Sequence, residues 1–197
     1  MNPTWEQQLD ELLQRANQLR VGGDPAGAVR LLEGAPELVK AWGAWRYLRG
    51  SLALELGDLA TAVRELEFAI QREPVIPEFR ANLRMALLEK GRKGDHFALR
   101  RARQLLEEAC REEPKLALAH ANLGAAKLAL DDPEGALACF DRALKLDPQH
   151  VWSLYQRGAA LKKLGRPKEA LAMVEKILAL DPKFQPALDA RAGLLAP

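Results

Sequence analysis

Residues 117–150 read ALAHANLGAAKLALDDPEGALACFDRALKLDPQH, and this stretch decides the fold. Leu118, Ala121, Ala125 and Leu128 recur at helical spacing, so its first half forms an amphipathic helix. Asp131-Asp132-Pro133-Glu134 then stops the chain and restarts it. Asp132 can accept hydrogen bonds from the free N–H groups of a new helix, and Pro133 suits its first position, where no N–H is needed. Ala136, Leu137, Phe140, Ala143 and Leu144 are the apolar stripe of that second helix, which closes before Asp147-Pro148. The unit is a helical hairpin 34 residues long.

The same punctuation recurs on both sides. Pro114, Pro148 and Pro182 lie 34 residues apart, each behind an acidic residue, and Glu73-Pro74 stands 40 residues before the first of them. A second ladder, Ala28, Ala62, Ala102, Ala136 and Ala170, has intervals of 34, 40, 34 and 34. Both ladders put six extra residues in the same interval, so one unit carries an insertion. Gly57-Asp58 and Asp24-Pro25 repeat the turn chemistry, whereas Gly165-Arg166-Pro167 keeps the break without the capping Asp. Repetition at this period means stacked supersecondary units, none of which can bury its apolar face alone.

These residues make the unit resemble the tetratricopeptide repeat, a helical hairpin with small residues where its two helices meet. The family's Leu-Gly pair is matched by Leu123-Gly124, and by Arg49-Gly50 and Arg157-Gly158 with the Leu replaced. Its small second-helix residue is the Ala ladder. Its aromatic is Phe140, with Leu32, Leu66, Leu106 and Val174 in the other units, and a further Ala follows at Ala69, Ala109 and Ala143. This register gives repeats at 9–42, 43–76, 77–116 with the six-residue insertion, 117–150 and 151–184, then a capping helix in 185–197. The chain departs from the pattern in two places. Leu12, Arg46, Arg80, His120 and Leu154 replace the family's first-helix Trp, and Arg84 takes the Gly slot of the third unit. In the first unit, Gly34-Ala35-Pro36 predicts a short second helix, followed by a long one from about Glu37 to Leu56.

The resemblance implies an all-α, right-handed superhelical solenoid of antiparallel helix pairs, a single domain over residues 1–197. It also implies a protein–protein interaction scaffold that holds a peptide or partner protein in a concave groove lined by the first helices. The groove positions are then Tyr47, Ser51, Asn82, Met85, Asn122, Trp152, Tyr155, Gln156 and Lys162, with Leu48, Leu118, Ala125 and Ala159 beside them. Asn82 and Asn122 stand at equivalent sites, and an Asn amide offers one donor and one acceptor group to a peptide backbone. The rings and Met85 would supply apolar pockets. Against this stands a plainer reading, in which the Asn side chains are solvated and the rings plug gaps between hairpins. A subclass of the family grips chaperone tails with Lys and Asn on one unit, Asn on the next, and Lys and Arg on a third. Asn82 is flanked instead by Tyr47 and Ser51, then Leu118 and Asn122. Asn122 is flanked by Ala81 and Met85, then Trp152 and Gln156. Without the cations, that ligand is not expected.

The rest of the sequence argues against other classes. Net charge is +2 with both signs interleaved, so no global field draws nucleic acid or an anionic membrane. The insertion, Gly91 to Arg103, carries five cations and offers the alternative of nucleic-acid or phosphate-ligand binding. Glu107, Glu108, Glu112 and Glu113 offset it, and a solvated loop leading into a helix is the preferred reading. His96, His120 and His150 have no partners at metal-ligand spacing, and His120 reads as a packing residue. Gly91-Arg92-Lys93-Gly94 follows a helix and lacks the Lys-Ser/Thr ending of a phosphate loop, and no Ser sits in a nucleophile elbow. No cofactor, metal or catalysis is therefore expected. Cys110 and Cys139 read as buried thiols in a reducing cytosol. The opening Met1-Asn2-Pro3-Thr4-Trp5-Glu6 lacks the basic and apolar regions of a signal peptide, and no stretch has the length of a membrane span. A soluble cytoplasmic protein is expected. A monomer is favoured, with a homodimer through Leu188, Leu194 and Leu195 of the C-terminal helix as the other outcome.

Overall fold

In the computed structural model, residues 4–195 are described. Met1-Asn2-Pro3 and the last two residues of the expected cap, Ala196 and Pro197, lie outside the described residues. Among those described there is no strand, and twelve helices follow one another. They are α1 (Trp5–Val21), α2 (Pro25–Glu33), α3 (Glu37–Lys40), α4 (Gly43–Glu55), α5 (Leu59–Arg72) and α6 (Pro77–Arg92), then α7 (His96–Glu112), α8 (Ala117–Ala129), α9 (Pro133–Leu146), α10 (Val151–Lys163), α11 (Pro167–Leu180) and α12 (Gln185–Leu195).

The turn inside each hairpin is built from the residues that predicted it. Its middle residue lies in the left-handed region: Gly23 at φ 85°, Gly57 at 77°, Gly94 at 97°, Gly165 at 70° and, without the freedom of glycine, Asp131 at 63°. The next residue caps the following helix. Asp24, Asp58, Asp95 and Asp132 each accept a backbone N–H three residues on, from Gly27, Thr61, Ala98 and Gly135, at 2.7 to 3.1 Å. At Asp58 the hydroxyl and backbone N–H of Thr61 hold the carboxyl below its ordinary range. The fifth turn has Arg166 in this place, bonded to Glu169 at 2.7 and 2.8 Å, and the N–H groups of α11 receive no side-chain cap. Arg166→Asp should supply the missing acceptor and raise the melting temperature by about 2–4 °C. An unchanged or lower thermal midpoint would contradict this account of the turn.

Two expectations are corrected. The long helix from Glu37 to Leu56 is broken at Trp42, whose backbone is extended (φ −86°, ψ 141°) between α3 and α4. The break lets the Trp42 ring reach Trp5 of α1, with centroids 4.7 Å apart, while Trp45 sinks into the core. Gly43 then starts α4 against the Glu73 side chain, where a Cβ would clash. The six inserted residues, in turn, do not make a solvated loop. α4, α8 and α10 have 13 residues and α5, α9 and α11 have 14, whereas α6 has 16 and α7 has 17. Each helix has gained three residues and the turn, Lys93-Gly94-Asp95, keeps the ordinary length. Helical backbone satisfies its own hydrogen bonds, which a loop leaves to solvent.

The chain divides into two compact units between Lys93 and Gly94. This is the turn of the unit whose Gly slot holds Arg84. In the first unit, Leu9, Ala16, Ala28, Leu32, Val39, Trp45 and Leu52 join α1 to α4 in one core, and α5 packs between α4 and α6. In the second, each helix from α7 to α12 packs on its neighbours in the chain, around Leu128, Ala136, Phe140 and Ala160, then Leu154, Val174, Ile177 and Ala187. The Ala ladder and the slot residues Leu32, Leu66, Leu106, Phe140 and Val174 are all buried, as the repeat register requires. The final helix docks through Ala187, Ala190 and Leu194, while Leu195 is 64% exposed.

Candidate binding surfaces

In the first unit, α4 sets Tyr47 and Ser51 one turn apart, and α6 brings Asn82 against both. Asn82 Nδ2 donates to Ser51 Oγ at 2.8 Å and lies 3.4 Å from the Tyr47 hydroxyl. Ser51 Oγ donates in turn to the Tyr47 carbonyl at 2.8 Å. The Tyr47 ring stacks on Phe79 with centroids 4.6 Å apart. This part of the expected groove is preassembled, and the Asn82 amide nitrogen is spent on holding it together. What it still offers is its carbonyl oxygen, an acceptor for a partner N–H. Met85, one turn along α6, is 50% exposed.

Behind these residues lies a feature the sequence did not announce. Glu65 of α5 is only 3% exposed, and its carboxylate accepts from Arg46 at 2.6 Å and Arg64 at 3.1 Å, with Arg49 at 3.5 Å. The Arg46 guanidinium lies over the rings of Trp45 and Phe68, 5.2 and 4.5 Å from their centroids. A buried carboxylate is tolerated only with such pairing.

In the second unit, α10 carries Trp152, Tyr155, Gln156 and Lys162. Trp152 is 44% exposed and tilted onto Tyr155 at 5.4 Å, and Tyr155 meets the edge of Phe184 at 5.9 Å. Gln156 and Asn122 are half-buried, Lys162 is exposed, and none of the three has a side-chain hydrogen bond or ion pair among the described residues. Tyr155 and Lys162 also edge a cleft of about 360 Å³ between α10, α11 and α12, floored by Leu154, Gly158, Ala170 and Val174 and closed by Pro186, Asp189 and Leu194.

Among the described residues no group of His, Cys, Asp and Glu could hold a metal ion, and no helix is long and apolar enough to cross a membrane. Cys110 and Cys139 form no disulfide and are half-buried rather than buried as expected, and burial pushes the Cys139 thiol up.

Two family models, each described as Tetratricopeptide repeat, match residues 115–183 and 47–95, together more than half of the chain. The chain belongs to the tetratricopeptide repeat family. Solved structures agree on the fold. MamA of Desulfovibrio magneticus RS-1, from residue 41 to its end, is 20% identical with a TM-score of 0.79, over 89% of this chain and 96% of that one. YrrB, described as a TPR protein with an unusual peptide-binding site, is 19% identical with a TM-score of 0.76, over 92% and 90%. TTC0263, a thermophilic TPR protein of Thermus thermophilus, is 23% identical with a TM-score of 0.67, over 95% and 98%. No curated protein matches.

The tetratricopeptide register also explains two of the three polar residues in the missing-Trp slot, Arg80 and His120. Arg80 donates to the Pro74 carbonyl at 3.0 Å, and His120 Nε2 lies 3.1 Å from the Pro114 carbonyl. Both tie the first helix of a repeat to the connector before it, which is the packing role expected of His120. Sequence reasoning missed Phe79, whose ring completes the Tyr47 stack, and the cleft beside Lys162. The signal for the cleft was present, since Val174 is the smallest residue in its slot.

Proposed function

We propose that the protein is a non-catalytic scaffold that binds a peptide or partner protein through the first-helix faces of its repeats. The observation that carries this reading is the exposed Trp152, tilted onto Tyr155. Trp and Tyr are enriched at protein interfaces and among the residues that anchor them. Asn122, Gln156 and Lys162 supply polar groups in the same unit. In the other unit Tyr47, Ser51, Asn82 and Met85 form a second patch, with an acceptor and an exposed thioether. YrrB is described as having a peptide-binding site, which supports the class of ligand and not its identity. Two cysteines outside any disulfide fit a reducing compartment such as the cytoplasm.

The test is affinity capture from the source cell with the intact chain beside a Trp152→Ala, Tyr155→Ala variant. Partners retained by the first should be lost by the second, with helicity unchanged. Equal capture by both would move the binding surface elsewhere.

The basic stretch 91–103 favours a second reading less. Arg92 pairs with Glu89, Arg103 lies 3.8 Å from Glu107, and all of the stretch except the turn Lys93-Gly94-Asp95 belongs to regular helix.

A further inference from the structure

Trp5 and Trp42 touch each other yet stay 39% and 41% exposed. The core of the first unit is filled without them, by Trp45 with Leu9, Leu32 and Val39. The charges around the pair have one sign. No Lys or Arg precedes Arg15, whereas Glu6, Asp10 and Glu11 stand in the first two turns of α1. All three are exposed, and none has a side-chain hydrogen bond or ion pair among the described residues. At 1.5 Å per residue they lie within about 9 Å of Trp5 along the helix axis, about one screening length in physiological salt. Arg15 lies about 15 Å along the same axis. On the Trp42 side the charges balance. Glu37 and Lys40 of α3 bond each other at 2.8 Å, Arg46 is held on Glu65, and Arg72 lies over Phe68 next to Glu73, whose carboxylate reaches Gly43. The uncompensated charge is therefore three carboxylates, on a chain whose net charge is +2. The helix end does not require them. Thr4 and Gln7 already close a capping box there, and Asp10 and Glu11 lie past the first turn, where the helix dipole fades.

We propose that the Trp5–Trp42 face of the first unit binds an arginine-bearing segment of a partner protein, the guanidinium lying on the rings and its N–H groups meeting the α1 carboxylates. Indole is the best aromatic acceptor of a cation. The planar guanidinium stacks on such a ring and presents its N–H fork to a carboxylate at the same time. Bare rings would accept any apolar group; the carboxylates make the choice, drawing a cationic segment in and turning an acidic one away. The inference goes beyond the α10 surface and does not depend on it.

The probe is the peptide acetyl-Arg-Gly-Arg amide, set against its citrulline counterpart, which keeps the shape and loses the charge. Indole N–H signals of the intact chain report binding. The arginine peptide should shift the Trp5 and Trp42 signals saturably at millimolar concentration, at least fivefold more tightly than the citrulline peptide. A Glu6→Gln, Asp10→Asn, Glu11→Gln variant, altered only at exposed sites, should bind the two peptides alike. Trp5→Ala should lose the shift at Trp42, and the Trp152→Ala, Tyr155→Ala variant should bind as the parent does. Unmoved Trp5 and Trp42 signals, equal binding of the two peptides by the parent, or a preference that survives in the neutralised variant would each overturn the proposal. Loss of binding in the Trp152→Ala, Tyr155→Ala variant would give the peptide to the α10 surface instead. Trp5 and Trp42 signals that move on dilution of the chain alone would give the face to a second copy.

Discussion

Glu65→Ala should destabilise the protein by about 3 kcal/mol, the lower end of the cost of breaking a buried ion pair from one side. The carboxylate is the shared acceptor of Arg46, Arg49 and Arg64, and only Arg64 is well exposed. Arg46 is held between the Trp45 and Phe68 rings, so its charge would remain in place with nothing to answer it. The side chains of Arg46 and Arg49 keep 26% and 18% of their exposure, which lets water recover part of the loss and sets the figure low. Urea unfolding would measure it. The companion variant is Glu65→Leu with Arg46→Met, which removes both charges and keeps the volume. It should come close to the parent, because apolar residues of similar size replace a buried pair at little net cost. A Glu65→Ala midpoint equal to the parent would show that the carboxylate contributes nothing to holding the hairpin.

The second large effect is a reciprocal one. Phe140→Val should cost about 2–3 kcal/mol, somewhat below a full truncation to Ala, since the ring is buried and fills the space over Gly124. Gly124→Ala should cost about 1–3 kcal/mol by itself, because the new methyl would stand 2.7 Å from the Phe140 ring. In the Phe140→Val background the same methyl enters vacated space, as a Cβ on Gly158 would beside Val174, and the better helix propensity of Ala should make it neutral or stabilising. The double-mutant cycle should therefore show a favourable coupling of more than about 1 kcal/mol. Simple additivity would mean that glycine and ring are not in conflict, and the packing account of the hairpin would fail.

The hairpins were legible because their signals are local. A left-handed turn residue, an Asp cap and an apolar stripe are each readable within a few positions, and repetition multiplied them. Misreadings arose where distant residues set the outcome. Trp42 breaks a helix whose sequence is helix-permissive, since its ring meets Trp5 thirty-seven positions earlier. The insertion looked like a loop because Gly91 and Gly94 flank two cations, yet only Gly94 takes the turn conformation. Glu65 is followed by Leu66 and preceded by Arg64, a pattern that suggests a solvated charge, and nothing local reveals that two more Arg residues converge on it. Of the surface, the aromatic pair on α10 was expected as such. The spending of the Asn82 amide inside its own unit was not, because hydrogen-bond commitment depends on the rotamers of three side chains on two helices.

Within each unit the helices pack mainly on those next to them in the chain, and this governs how each unit gains its shape in time. Each contact closes a loop no longer than a helix or two, so little chain entropy is lost before a contact forms. Folding within each unit should then run in the microsecond-to-millisecond range of local topologies. Such a chain has no keystone. Damage in one helix is felt by its neighbours and fades beyond them, and unfolding can begin at an end and travel inward. α12 leans mainly on α11, so it should be the first to open, and its opening would undo the cleft without disturbing the remaining repeats.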